Sequence, residues 1–163
     1  MHEVFLGIGG NIGNKKYNFL KTYILIQNRL GKIQKVSSVY ETPPWGFKSD
    51  DLFWNMVIKI ECGLSPEGLI KEIRSIENSF NRERTERTYI SRKIDIDILY
   101  YDNLVTDTKN LIIPHPRLPE RLFVLAPLSE IAPSFKHPSL RLTNRELLNK
   151  CKDESVIKKI CTL

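Results

Sequence analysis

The stretch SRKIDIDILYYDN, residues 91–103, most strongly constrains how this chain can fold. Ile94, Ile96 and Ile98 alternate with Asp95 and Asp97, and side chains of a strand alternate between its two faces. The pattern therefore predicts a strand with one apolar and one acidic face. Aspartate is a poor strand former, and two carboxylates on one face repel each other. Such a pair indicates a chemical role.

The remaining patterns place this strand fourth in an ordered series. A buried strand is predicted near residues 2–9, and alternating patterns predict strands over 32–41 and 54–63. Helical patterns cover residues 15–30 and 64–80. The order β-α-β-β-α-β predicts an α+β fold of the ferredoxin-like type, with an antiparallel sheet and helices on one face.

Helix boundaries are marked by capping residues. Asn14 is the predicted N-cap of the first helix, Gly31 ends it, and Leu20, Ile24 and Leu30 are expected near one face.

The second helix begins with Ser65 as N-cap and Pro66 at its first position. Its apolar stripe is Leu69, Ile70, Ile73, Ile76 and Phe80. After about Asn103 the chain is proline-rich and irregular, closing with a short helix whose capping box is Thr143 and Glu146.

Composition indicates one globular domain spanning residues 1–163, with 41% hydrophobic and 27% charged residues. The net charge of +6 suits phosphate-bearing partners. Three cysteines without a C-x-x-C argue against a disulfide framework or a structural zinc site. The N-terminal stretch lacks a basic leader and no stretch is long and apolar enough to span a bilayer, so we expect a cytoplasmic protein without a membrane partner.

The predicted topology brings three loops to one end of the sheet. Strands one and two run opposite to strands three and four, so segments 9–14, 43–53 and 81–93 meet. Long structured loops are usually functional. Asp95 and Asp97 lie at the start of strand four, at the same end.

The spacing of Asp95 and Asp97 suits divalent cations. Two residues along one face of a strand lie roughly 6.6 Å apart, so both carboxylates can reach one cation or a pair. Mg²⁺ uses one or two carboxylates together with substrate phosphates. The alternative is a solvated edge strand with its charges outward.

Two of the converging segments, and the stretch PHPRLPERLF further along the chain, supply cationic and aromatic side chains. Arginine pairs bidentately with phosphate oxygens, although a run of charges is often only a solvated loop. Aromatic side chains can stack on a flat heterocycle or simply cap the core. The residues concerned are Arg82, Arg84, Arg87 and Arg92, the rings Trp45, Phe47, Phe53 and Phe123, and His115, Arg117 and Arg121 of PHPRLPERLF.

Together these blocks resemble the 6-hydroxymethyl-7,8-dihydropterin pyrophosphokinase family. The resemblance rests on GIGGNIGN, SSVYETPPWG, Phe53 with Asn55, Glu77, R-x-R at Arg82, R-x-x-DIDIL from Arg92, and IPHPRLPERLFVLAPLSEIAP. It covers nearly the whole chain. It implies transfer of the pyrophosphoryl group of ATP to the pterin hydroxymethyl group in folate biosynthesis, releasing AMP.

The resemblance also implies roles for individual residues. Asp95 and Asp97 would hold two Mg²⁺ ions, with Arg82 and Arg92 catalytic beside them. ATP would contact Glu77, Arg84, Arg92, Ile98, His115 and Arg121. The pterin pocket would comprise Thr42, Pro43, Pro44, Trp45, Phe53, Asn55, Tyr89 and Phe123. The chain departs from the family at Tyr89-Ile90-Ser91, where Trp-Gly-Pro is usual, which changes the stiffness of this loop.

Two other classes compete with this hypothesis. Ferredoxin-like sheets and basic charge suit RNA, but the RNA-recognition signature K/R-G-F/Y-G/A-F-V-x-F/Y is absent from the sequence, so no nucleic-acid partner is expected. A nucleotidyl transferase or cyclase also pairs strand aspartates with two metals, and it would release pyrophosphate instead of AMP. We expect a monomer acting on two small substrates.

Overall fold

The computed structural model describes residues 1–45, 51–80 and 93–161. The strands are β1 His2–Gly10, β2 Gly31–Val36, β3 Val39–Thr42, β4 Phe53–Cys62, β5 Asp95–Tyr101, β6 Thr106–Thr108, β7 Leu111–Ile113 and β8 Lys158–Cys161. The helices are α1 Lys15–Arg29, α2 Pro66–Asn78, α3 Leu122–Ile131 and α4 Asn144–Lys150, with a 3-10 helix at Leu118–Glu120.

Over the described ranges, six strands form one antiparallel sheet in the order β5-β1-β4-β3-β8, with β2 also paired to β4. The predicted second strand is divided at Ser37 and Ser38 into β2 and β3, which lie along the same edge of β4. The Ser37 amide donates to the Val57 carbonyl and the Val57 amide donates to Ser37 Oγ, which continues the ladder across the break. The ferredoxin-like α+β prediction is confirmed.

The helices α1 and α2 cover one face of the sheet, here called the helical face. Alternate residues of three strands, with Leu6, Ile58 and Ile96 as examples, pack there against Phe19 of α1 and Ile73 of α2. The alternation predicted for Ile94, Ile96 and Ile98 is confirmed, because all three belong to this cluster.

The apolar face predicted for α1 is wrong at Leu20 and Ile24 and confirmed at Leu30, which is 2% exposed. Leu20 is 41% exposed and Ile24 is 57% exposed, whereas Phe19 and Ile26 are fully buried. Thr22 is buried with them because its hydroxyl donates to a backbone carbonyl of its own helix, which satisfies its polar group. The face of α1 that packs on the sheet is therefore the one that carries Phe19 and Ile26.

The caps predicted for the helices are confirmed. The Asn14 side chain accepts from the Tyr17 amide. The Ser65 side chain, just before Pro66, accepts from the Gly68 amide. The capping box of Thr143 and Glu146 begins α4.

The opposite face of the sheet, here called the open face, carries a second apolar cluster at one end. Phe5, Val57 and Tyr100 pack there against Leu125 of α3 and Leu147 of α4. The sequence analysis did not include α3, which contains Pro127. The helices α3 and α4 leave uncovered the end of the open face at which β1 and β3 end and β4 and β5 begin. No helix within the described ranges is long and apolar enough to cross a membrane.

Candidate active site

Strand register brings the predicted functional segments together. Gly9 lies opposite Asn55 of β4 on one side and Asp95 of β5 on the other. Thr42, the last residue of β3, pairs with Phe53, the first residue of β4. The carboxyl ends of β1 and β3 and the amino ends of β4 and β5 therefore meet at one end of the sheet, as predicted.

A cavity of about 360 Å³ opens on the open face at this end. Its floor is made by Gly7 and Gly9 of β1, which bring the backbone itself to the surface of the cavity. Ten residues proposed from the sequence line it: Thr42, Pro43, Trp45, Phe53, Asn55, Asp95, Asp97, His115, Arg121 and Phe123. The volume falls in the range typical of small-molecule sites.

One side of the cavity is charged. Asp97 Oδ2 lies 3.8 Å from His115 Nε2 and 3.9 Å from Arg121 Nη1. These separations are longer than a hydrogen bond, and the imidazole and the guanidinium flank the carboxylate. The arginine side chain is only 11% exposed, which strengthens its field in the cavity.

The imidazole of His115 is neutral in this environment. The pKa of His115 is lowered to about 4, chiefly by burial and next by the Arg121 guanidinium, with the Asp95 carboxylate acting in the opposite direction. His115 Nδ1 accepts from the Arg117 amide at 3.2 Å, so the ring proton belongs on Nε2, which faces Asp97. The ring can therefore donate a hydrogen bond into the cavity.

The other side of the cavity is aromatic. The Trp45 and Phe123 rings approach edge to face, with centroids 6.3 Å apart. Arg117 Cζ lies 4.5 Å and Arg121 Cζ 5.0 Å from the Trp45 ring centroid, within the range of cation–π attraction. Arg121 therefore belongs to both sides, since it also approaches Asp97.

A polar pair completes the aromatic side. Asn55 Nδ2 donates to Thr42 Oγ1 at 2.9 Å, and the amide is almost fully buried. A Cβ added at Gly9 would lie 3.1 Å from Asn55 Oδ1, so the glycine makes room for this orientation of the amide. The pair fixes one hydrogen-bonding edge in an otherwise apolar wall.

Some proposed residues lie elsewhere. Glu77 is buried on the helical face, where Oε1 accepts from the Ile96 amide at 3.0 Å. The Ile98 side chain is also in the helical core, and Pro44 does not line the cavity. Arg82, Arg84, Arg87, Arg92, Tyr89 and Phe47 lie outside the described residues.

The structure adds cavity residues that the sequence analysis did not single out. Val57, Leu99 and Val124 line its inner end and belong to the open-face cluster. Met56 and Val57 are neighbours in β4, so their side chains lie on opposite faces of the sheet. The sequence did not show that the face carrying Val57 is also buried. The sequence feature that could have indicated it is that Phe5 and Val57 are apolar although they alternate with the helical-face residues of their strands.

The donor set fits a divalent cation bound together with substrate phosphates. Asp95 and Asp97 both face the cavity, and within the described ranges no group of three or more metal-ligating side chains is assembled. Two carboxylates are what Mg²⁺ commonly takes from a protein when phosphate oxygens and water complete its shell.

A second cavity lies against α2 and the β6–β7 hairpin. It is lined by Glu67, Ile70, Lys71, Arg74, Ser75, Asn78, Thr108, Asn110 and Leu111. It adjoins the helix that carries Glu77, whose carboxylate holds the backbone of β5. Both α2 and β7 contact β5, the strand that carries the two aspartates.

Known proteins resemble this chain in sequence over most of its length. A protein of Aquifex aeolicus (strain VF5) named 2-amino-4-hydroxy-6-hydroxymethyldihydropteridine pyrophosphokinase is 37% identical over 163 residues, covering 100% of this chain and 98% of that protein. The folic acid synthesis protein FOL1 of Dictyostelium discoideum is 44% identical over 147 residues. That match covers 90% of this chain but only 22% of FOL1, so the chain corresponds to a small part of that protein.

The fold has counterparts among solved structures. In the crystal structure of Plasmodium falciparum HPPK-DHPS with pteroate, the match has a TM-score of 0.76 at 20% identity. It covers 91% of this chain and 42% of the other. A sequence model described as 7,8-dihydro-6-hydroxymethylpterin-pyrophosphokinase (HPPK) matches residues 5–133. The chain belongs to the HPPK family.

Proposed function

We propose that this protein transfers the pyrophosphoryl group of ATP to 6-hydroxymethyl-7,8-dihydropterin, giving AMP and the pterin diphosphate for folate synthesis. The observation that carries the proposal is the division of one cavity into an aromatic side and a charged side. A flat acceptor suits the first, and a polyphosphate with its cations suits the second. Family membership supplies the identity of the two substrates.

The aromatic side is the proposed acceptor site. Trp45, Phe53 and Phe123 offer ring faces to a bicyclic heterocycle. The Asn55 amide presents both donor and acceptor chemistry to its edge, held by Thr42. Pro43 lines the same side, and Tyr89 is proposed for the same site but lies outside the described residues.

The charged side is the proposed phosphate site. Asp95 and Asp97 would hold two Mg²⁺ ions, which when bound neutralise the charge that develops on the transferring group. Arg121 donates to phosphate oxygens, and His115 donates through Nε2. Arg82, Arg84 and Arg92 are proposed as further phosphate contacts, and they lie outside the described residues.

The nucleotide is proposed to continue around β5 towards α2. Glu77 and Ile98 are the proposed nucleotide contacts on that side of the strand. The second cavity, beside the α2 segment from Glu67 to Asn78, offers space for the adenosine part of ATP. A nucleotide lying across β5 would place its phosphates at Asp95 and Asp97.

The reaction is an in-line displacement. The acceptor hydroxyl oxygen attacks the β-phosphorus, the bond from that phosphorus to the oxygen bridging it to the α-phosphate breaks, and AMP leaves with that oxygen. The hydroxyl proton is released to solvent. Among the described residues, His115 is the one imidazole lining the cavity, and a pKa of about 4 makes it a weak base. The protein therefore contributes by positioning and charge.

The test is incubation with ATP, Mg²⁺ and the pterin, followed by separation of the nucleotides. We expect AMP and diphosphorylated pterin in equal amounts with the unaltered chain and with Asp107→Ala, an exposed aspartate on β6. Asp97→Ala is expected to abolish both products, as is a chelator. Release of pyrophosphate instead of AMP would contradict the proposal and favour a nucleotidyl transferase.

The proposed working unit is a single domain acting as a monomer in the cytoplasm. Sedimentation equilibrium of the purified chain tests the monomer, since a mass of twice 19.0 kDa would contradict it.

A further inference from the structure

The helix α3 begins inside the candidate active site without a local cap. Its N-cap residue is Arg121, whose guanidinium has only donors and cannot accept a hydrogen bond from the first amides of the helix. The first turn contains no acidic residue. Yet Arg121 and Phe123, two residues of the cavity wall, lie in this turn. Their position depends on how the turn is held.

Asp153 supplies the missing acceptor from the C-terminal segment. Its Oδ2 accepts from the Leu122 amide at 3.0 Å, across 31 residues of chain. Its Oδ1 accepts from the Ser155 amide at 3.0 Å and from Ser155 Oγ at 2.5 Å. Ser155 thus orients the carboxylate through Oδ1, and Oδ2 caps the helix. A negative charge at this end also interacts favourably with the helix dipole.

The charge on Asp153 is maintained by these contacts. Burial raises the pKa of Asp153, but the hydrogen bonds from the Ser155 hydroxyl and from the Leu122 and Ser155 amides outweigh it and lower the pKa overall. The side chain is therefore an anion at neutral pH.

The same C-terminal segment continues to the opposite wall of the cavity. In β8, Lys159 pairs with Tyr40 and Lys158 with Glu41 of β3, the strand that ends at Thr42. Glu130 of α3 accepts from Ser38 and from the Tyr40 hydroxyl at 2.8 Å each, which ties α3 to the same strand. The segment 151–161 therefore contacts both elements that flank the aromatic side. The matched part of the family model ends at residue 133, ahead of this segment.

We propose that Asp153 is a positioning residue for the substrate cavity, capping α3 so that Arg121 and Phe123 are held at their places on the two sides. The inference rests on the proposed function for the identity of the substrates. It assigns to the C-terminal segment a part in substrate binding, and it predicts that loss of the cap affects both substrates, because the two side chains serve different ones.

The experiment compares Asp153→Ala and Asp153→Asn with two controls. Glu154→Ala removes an exposed acid one residue away. Thr143→Ala removes the equivalent cap of α4, whose first residue Asn144 contacts Ala132 at the far end of α3. Steady-state constants, thermal unfolding and the fluorescence of Trp45 in a Trp54→Phe background are measured for each.

We expect Asp153→Ala to raise KM for both the pterin and ATP by about fivefold, with a smaller change in kcat. This fold-change corresponds to the free energy of about 1 kcal/mol that one N-cap typically contributes. Asp153→Asn should recover most of this loss, because asparagine is an equally good capping acceptor. Thr143→Ala should lower the unfolding temperature comparably and leave both KM values unchanged. Glu154→Ala should change neither quantity.

Equal KM values in Asp153→Ala and the unaltered chain, with only a lower unfolding temperature, would overturn the inference. So would an equal rise in KM in Thr143→Ala or in Glu154→Ala. Trp45 emission tests the inference without turnover, since Arg121 and Phe123 pack on this ring. If the chain makes no AMP but Asp153→Ala shifts that emission and Thr143→Ala does not, the proposed function fails and the positioning role stands.

Discussion

The two faces of the sheet are built on different principles. On the helical face, α1 and α2 are capped by Asn14 and Ser65 from their own flanks, and apolar side chains close the interface. On the open face, α3 is capped by Asp153 from a distant segment, and the uncovered end of the face is a charged and aromatic cavity. Both faces carry part of the apolar core that stabilises the fold, whereas the cavity proposed to carry the chemistry lies on the open face. Substitutions in the helical-face core and in the cavity should therefore separate stability from chemistry.

Neighbours on β5 give the largest contrast. Asp97→Ala is expected to reduce turnover by about a thousandfold or more, because the charged side loses a carboxylate, with little loss of stability. Ile96→Ala removes a side chain that is 5% exposed in the helical core and should cost about 2–4 kcal/mol of unfolding free energy. Its turnover per folded molecule should be retained. Denaturant unfolding and the AMP assay on both variants measure the contrast, and equal effects on stability would refute it.

Gly9→Ala tests the close packing of the cavity floor. The added Cβ would lie 3.1 Å from Asn55 Oδ1, so the amide must shift by a few tenths of an ångström, which disturbs its hydrogen bond to Thr42. We expect KM for the pterin to rise by about tenfold or more, since misplacement of a binding group by a fraction of an ångström weakens every contact it makes.

Gly63→Ala is the control for the floor, because its Cβ would meet only the flexible Met1 side chain, at 3.5 Å. Unchanged pterin affinity in Gly9→Ala, measured by equilibrium titration, would show that Asn55 does not bind the acceptor.

Arg117→Ala sharpens the aromatic part of the comparison. Arg117 lies over Trp45 and also approaches Glu120 at 3.8 Å. An exposed cation–π contact is worth about 0.5–1 kcal/mol, so loss of the guanidinium should raise KM for the pterin by about two- to fivefold and leave that for ATP unchanged. Glu120→Gln removes only the ion-pair partner and should have no effect. A rise in KM for ATP alone would instead assign Arg117 to phosphate binding.

The prediction with the smallest expected effect concerns the pH dependence of the unfolding free energy and His137, which follows α3 in the chain. Burial lowers the pKa of His137, whose Nδ1 accepts from the Ser139 and Leu140 amides. The unfolded chain binds a proton near pH 6.5 that the folded chain binds only at lower pH. Unfolding free energy should therefore fall as pH drops below about 6.5, by at most about 1.4 kcal/mol per pH unit from this group.

His137→Asn keeps an acceptor for the two amides and should make this slope shallower, while His115, whose pKa is lowered to about 4, still contributes a fall in the same direction. Urea unfolding at pH 5 to 8 measures both chains, and identical slopes would show that His137 is not the group responsible.

Much of the helical face was predictable because its signals are local. The caps, the apolar stripe of α2 and the alternation in β5 lie within a few residues of the elements they define. The face of α1 was not predictable in the same way, since Leu20 and Phe19 are both apolar and only the fit against the sheet chose between them. The helix α3 was missed because Pro127 and apolar residues on all sides obscure its period.

The sequence by itself determined the order of the elements from β1 to β5, and hence that the end of β1 and the acids Asp95 and Asp97 lie at one end of the sheet. Only the tertiary structure decided that Trp45 packs with Arg117 and Arg121, and that Asp153 caps α3. The physical reason is range. Periodicity and capping act between near neighbours in the chain, whereas stacking, burial and capping from a distance depend on separations that exist only once the chain has folded.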